Sequence, residues 1–106
     1  MRQGEIYFKG EKAGLLSQND DGHFEFMYDE RWLNDSSKPA ISLTLPKSDK
    51  RHTSYYLFPF FFHLLPEGIN KQILCRHLRI DEDDYFGLLL NIASNDTIGA
   101  VTVHSV

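Results

Sequence analysis

Five histidines, one cysteine and a run of acidic residues are the side chains in this 106-residue chain with the best claim to reactive chemistry. His63, Glu67 and His77 come nearest to a metal-ligand cluster. Pro66 falls between the first two, however, and neither an H-E-x-x-H nor a paired C-x-x-C spacing occurs. Cys75 with His77 has the composition of a nucleophile and its base, but two residues apart on one helix they point in different directions. Asp81 to Asp84 offer carboxylates for acid–base work, and equally four acceptors for the first turn of a helix, where negative charge suits the macrodipole. The cap is the simpler reading. Neither G-x-x-x-x-G-K-[ST] nor G-x-G-x-x-G is present, so the backbone cradle for a phosphate is missing. Lys47, Lys50 and Arg51 suffice for contact with a phosphate or an acidic protein, or simply for a soluble loop. Trp32 is the one tryptophan; it stacks on a ligand or plugs a core beside a sheet, and the core is the expectation. The residues therefore predict no catalytic constellation, no metal site and no cofactor, and a chain that is not an enzyme.

A different feature stands out. From Ser54 to Arg79 the chain reads S-Y-Y-L-F-P-F-F-F-H-L-L-P-E-G-I-N-K-Q-I-L-C-R-H-L-R, with Phe58, Phe60, Phe61 and Phe62 inside five positions. Pro59 is tolerated at a first helical position because its missing N–H has no intrahelical partner there. In a helix starting at Pro59, Phe60, Phe61, Leu64 and Leu65 share one face. Phe58 and Phe62 fall on another sector beside His63. If Phe62 and one of Tyr55, Tyr56 or Phe58 are exposed, the chain carries a binding surface, because large apolar patches on small proteins mark interaction sites and aromatic anchors dominate interfaces. The bland alternative is that every ring folds inward or meets a second copy.

Composition restricts what that surface binds. At 42% apolar and 25% charged residues the chain reads as one globular domain, 1–106, large enough to bury a core. The net charge of −4 argues against direct nucleic-acid binding. No run approaches the roughly 18 apolar residues of a membrane span. A lone cysteine and a start lacking an apolar signal core point to the cytoplasm.

The elements that must position the aromatic stretch follow from periodicity. Gln3 to Lys9, Ala13 to Gln18 and His23 to Tyr28 alternate as strands, joined by turns at Lys9–Lys12 and Asn19–Gly22. Ile6 and Phe8 share one side of the first, and Phe24, Phe26 and Tyr28 one side of the third. Asp29 to Leu33 reads as a helical turn, Ile41 to Leu45 as a short strand stopped by Pro46, and Lys47 to Thr53 as a basic loop. After the aromatic helix, Leu65-Pro66-Glu67-Gly68 reorients the chain. Ile69, Ile73, Leu74 and Leu78 then mark an amphipathic helix, and Tyr85, Leu88, Leu89 and Ile92 a third that ends at Ser94–Asp96. Ile98 to Val103 closes as a strand. The expected class is α+β: a small antiparallel sheet with an N-terminal meander, packed against about three helices.

Tyr28-Asp29 with Trp32-Leu33, then P-A-I-S-L-T-L-P from Pro39 to Pro46, Pro59-Phe60-Phe61 with L-L-P-E-G from Leu64 to Gly68, and Gly99-Ala100-Val101 together resemble the N-terminal subdomain of HipA-type toxin kinases. The resemblance covers nearly the whole chain. In those kinases the subdomain precedes a catalytic domain, whereas a small protein of this outline resembles the HipS-like short subunits of three-gene HipBST toxin–antitoxin systems. The resemblance implies an antitoxin that binds and neutralises a HipT-like serine/threonine kinase, with a HipB-like DNA-binding protein joining the complex. It also implies an alternative, a non-inhibitory module that links the kinase to that repressor. In the family an acidic residue followed by asparagine commonly separates P-F-F from L-L-P-E-G; here Phe62 and His63 stand in those places. Phe62, helped by His63, Tyr56 and Phe58, is thus the expected contact with the kinase.

Overall fold

Alternation of apolar and polar residues builds the sheet first. A computed structural model describes residues 1–65, 68–92 and 101–106, and the side chains at 68, 69 and 92 are left aside with the rest. β1 (Arg2–Phe8) and β2 (Glu11–Gln18) form a hairpin whose two-residue turn, Lys9-Gly10, takes positive φ at both positions. That is the backbone whose twist matches a right-handed strand pair. β3 (Phe24–Tyr28) completes the meander, and β5 (Val101–Ser105) pairs with the other side of β1. With β4 (Arg51–Ser54) on the outer side of β3, the order is β4-β3-β2-β1-β5, every described pairing antiparallel.

One face of this sheet is the core. Ile6, Leu16, Phe26, Tyr28, Val101 and Val103 are all buried there. α1 (Glu30–Asn34) brings Trp32 edge-on to Phe8 at 5.6 Å, and the indole Nε1–H donates to the Pro39 carbonyl at 2.9 Å. The core reading of Trp32 holds. α2 (Pro59–Phe62) sets Phe61 against Phe26, and α4 (Tyr85–Ile92) stacks Phe86 on Phe24 and buries Leu88 and Leu89. α4 approaches so closely that a Cβ on Gly4 would sit 2.7 Å from the Leu90 side chain and 2.9 Å from that of Val103, so a larger residue there must displace them. The meander, the helical turn and the α+β class match the expectation from the residues.

Four expectations are corrected. Residues 41–45 form no strand. Ser42 and Thr44 spend their hydroxyls on each other and on the Thr44 N–H, and such local bonding competes with a sheet ladder. The strand lies further on, in the supposed basic loop, where Arg51 to Ser54 pair with β3; its polar residues suit a sheet edge and disguise it. α3 (Gly68–Leu78) turns Leu74 and Cys75 inward and leaves Ile73 60% exposed and Leu78 36% exposed. Ile73 and Leu74 are neighbours about 100° apart, so one narrow face cannot hold both. Phe58, expected outside, is in the core. The helix-ending residues 94–96, the start of the closing strand at 98–100, and Pro66 and Glu67 lie outside the described residues.

Candidate partner-binding surface

The sheet fixes where the aromatic stretch emerges. Phe24 pairs with Ser54 at one end of the β3–β4 ribbon, so the chain leaves β4 there and runs into Tyr55 and Tyr56, 76% and 81% exposed. Tyr55 leans on the ring of His23, with centroids 4.3 Å apart, while Tyr56 has its backbone N–H bonded to the Ser54 hydroxyl at 3.1 Å. Leu57 and Phe58 then turn inward. Phe58 occupies the N-cap position of α2 in an extended conformation, which drops its ring onto Phe61 at 6.2 Å. It supports the surface from beneath.

α2 lasts one turn, and its outer side is Phe62. This ring is 40% exposed and meets Tyr85 edge-on at 5.1 Å; Lys71 lies 4.6 Å from the Tyr85 centroid on the ring's face. Phe62, Tyr85 and Lys71 therefore form a ridge joining α2, α4 and α3. His63 follows in the open, its ring 6.3 Å from Phe62. Of the four expected contact residues, Tyr56, Phe62 and His63 reach the surface and Phe58 does not. Tyr85 and Lys71 were missed because they come from helices whose relative placement no short-range pattern encodes.

The other chemical candidates disperse. His63 and His77 are exposed, Cys75 is buried and free, and among the described residues no three His, Cys, Asp or Glu side chains group to hold a metal ion. Asp84 acts as a cap: its carboxylate accepts the Gly87 N–H at 3.1 Å and receives the Arg2 guanidinium at 2.8 and 2.9 Å. The Arg2 hydrogen bond holds the Asp84 carboxyl below its ordinary value, with burial opposing. The basic residues are engaged within the fold. Lys47 donates to the carbonyls of Asp35 and Lys38, Lys50 pairs with Glu30, and Arg51 with Glu25. Among the described residues no helix is long and apolar enough to cross a membrane.

A second exposed group lies at the opposite end of the ribbon. The Tyr28 N–H bonds to the Lys50 carbonyl, and the Tyr28 hydroxyl, in the core, accepts the Ile41 N–H at 3.2 Å and donates to the Leu45 carbonyl. Ile41 and Leu45 are buried, while Leu43 between them is fully exposed.

Known proteins give this geometry a context. A protein of Haemophilus influenzae described as uncharacterized is 38% identical over 104 residues, covering 97% of this chain and 92% of its own. "Putative kinase Y4dM" of Sinorhizobium fredii is 31% identical over 94% of this chain, which spans only 26% of that protein. Among solved structures, the N-terminal domain of HipA toxin superposes with a TM-score of 0.75 at 34% identity, covering all of this chain and 93% of that one. The family profile described as HipA N-terminal domain matches residues 4–104. That match spans both the sheet and the aromatic ridge, and the chain belongs to the HipA N-terminal domain family.

Proposed function

We propose that this protein is an antitoxin that binds a HipT-like serine/threonine kinase and neutralises it by protein–protein contact, in the cytoplasm and with a HipB-like DNA-binding protein in the complex. The observation that carries the reading is the exposed ring of Phe62. A large aromatic at the end of a one-turn helix, propped by Tyr85 and followed by exposed His63, is a projecting anchor. Tyr56, 81% exposed, adds a second ring six residues earlier in the chain. Relatives described as kinases contain this domain as about a quarter of their length, so the family includes proteins in which it accompanies a much longer chain.

Phe62 is 40% exposed, so burying what remains of it in a partner is worth about 0.6–1.2 kcal/mol, that share of the roughly 1.5–3 kcal/mol for a whole side chain. Titrating purified kinase with the wild type and with Phe62→Ala tests this, and roughly three- to eight-fold weaker inhibition by the variant is expected. Unchanged inhibition by a folded variant removes Phe62 from the account. Co-expressing the protein and kinase without the DNA-binding protein separates inhibitor from assembly module: rescue of growth supports the inhibitor.

A further inference from the structure

We propose that the outer face of α3 binds a second copy of this chain, in a two-fold contact where the basic helix of each copy meets the acidic turn 81–83 of the other. The proposal concerns the free protein and stands apart from the antitoxin reading. Between residues 68 and 80 the sequence holds Lys71, Arg76 and Arg79 and no acidic residue, in a chain whose net charge is −4. Arg76 and Arg79 are exposed and enter no ion pair among the described residues, whereas five lysines and arginines elsewhere each hold a carboxylate. The same helix leaves Ile73 60% exposed and Leu78 36% exposed. Arg79 carries a further mark, a left-handed φ of 58°. Ile80 N–H donates to the Cys75 carbonyl at 2.9 Å and Arg79 N–H to that of Arg76 at 3.4 Å, a helix ending in which glycine is the unstrained residue. A long cationic side chain held there against the backbone preference points to a use outside the fold. Lys9, likewise at positive φ, has a use within it, its ammonium lying 5.7 Å from the Phe8 ring centroid.

The occupant follows from charge. Asp81, Glu82 and Asp83 come directly after this ending, all three exposed and also without an ion pair among the described residues. Their backbone is pinned: Asp81 Oδ1 accepts the Asp83 N–H at 2.9 Å, and the Asp81 carbonyl accepts the Asp84 N–H at 3.0 Å. Only Ile80 separates the arginines from the carboxylates along the chain, yet within one copy the two sets do not meet. A second copy brings to α3 the carboxylates it lacks. Two-fold symmetry then forms every arginine–carboxylate pairing twice, because an isologous contact repeats itself across the axis. Repulsion between the two net charges is largely screened beyond about 8 Å at physiological salt, and pairs in contact are screened much less. Ile73 and Leu78 add apolar cover to the same contact. An interface built on so few side chains belongs to the class below about 1,200 Å², so the dimer is reversible, with Kd on the order of 100 μM.

Analytical ultracentrifugation of the free protein from about 10 μM to about 1 mM tests this, and a reversible dimer is expected whose Kd rises about ten-fold between low salt and about 0.5 M salt. Two double variants, Arg76→Glu with Arg79→Glu and Glu82→Lys with Asp83→Lys, should each be monomeric, and mixing them in equal amounts should restore a dimer with one copy of each. All four side chains are exposed, so the fold is kept, checked by circular dichroism. Arg79→Gly separates interface from fold: it should raise the melting midpoint of the dilute monomer by a few degrees while weakening the dimer several-fold. A purely structural role for Arg79 cannot move the two readouts in opposite directions. A wild type that stays monomeric at about 1 mM in low salt overturns the proposal. A dimer that survives either double variant, or a mixture that restores none, does the same. Kinase inhibition lost in Arg76→Glu with Arg79→Glu, with the wild type monomeric when free, assigns the face to the kinase and overturns the second copy. A salt-sensitive shift of a duplex DNA oligomer by a monomeric wild type, lost in that variant, assigns it to nucleic acid with the same consequence.

Discussion

Tyr28 is the residue on which core and surface meet. Its ring sits edge-on to Phe26 at 4.8 Å inside the sheet, and its hydroxyl serves as both donor and acceptor for the 41–45 loop. Burial raises the pKa of that hydroxyl, so it stays protonated and able to donate across the neutral range. Tyr28→Phe keeps the ring and leaves the Ile41 N–H and the Leu45 carbonyl without this partner. We expect a loss of about 1–3 kcal/mol, the range for orphaning buried polar groups. In urea the midpoint should fall with the slope unchanged. A midpoint equal to wild type would mean that water takes over both bonds. The alternation of His23 to Tyr28 announces that this ring faces inward, whereas nothing local announces where its hydroxyl reaches, because its partners lie 13 and 17 positions away.

At the scale of elements, legibility tracked how much of each element's stability is local. The hairpin and meander could be read because period-two alternation and the Lys9-Gly10 and Asn19–Gly22 turns agree with one another. β4 could not, since an edge strand of Arg, His, Thr and Ser has no apolar alternation to see. Phe58 was misplaced because helical geometry was extended to a residue that stands before the helix begins. α4 illustrates a cap that is both local and distant. Asp84 bonds the Gly87 N–H, three residues ahead, and Arg2, at the start of β1. Asp84→Ala should cost about 1 kcal/mol for the cap. Asp84→Asn keeps a capping oxygen and removes only the ion pair, which is over a third exposed on the Arg2 side and so worth well under 1 kcal/mol. The sign of the pH dependence follows from the lowered carboxyl pKa in the fold. That stabilisation is present above the unfolded value of about 3.9 and is lost as pH falls through the folded value. The gap between wild type and Asp84→Asn should therefore be widest near neutrality and shrink below about pH 4 in paired urea melts. A gap that grows on acidification would contradict the assignment.

For the whole molecule, the surplus of ring surface resolves into a distribution. Phe26, Phe58, Phe61 and Phe86 are absorbed by a core that one sheet face and the helices enclose, and Tyr55, Tyr56 and Phe62 are left exposed, the two tyrosines where the chain leaves β4. Sequence periodicity could count the excess but not say which rings remain, since that depends on how α2, α3 and α4 share a single sheet face. The opposite edge differs in character. β5 pairs with β1 and carries Thr102 and His104 bonded to each other at 3.0 Å, with Tyr7 edge-on to His104 at 4.9 Å. A partner seated on Tyr55 and Tyr56, at the β4 edge, should therefore leave β5 untouched. In hydrogen exchange with and without the kinase, amides at 55–58 and 60–63 should slow, while 101–105 exchange at the free rate. No slowing at 55–63 would remove the aromatic end from the contact. Slowing along 101–105 alone would place the kinase on the other edge of the sheet.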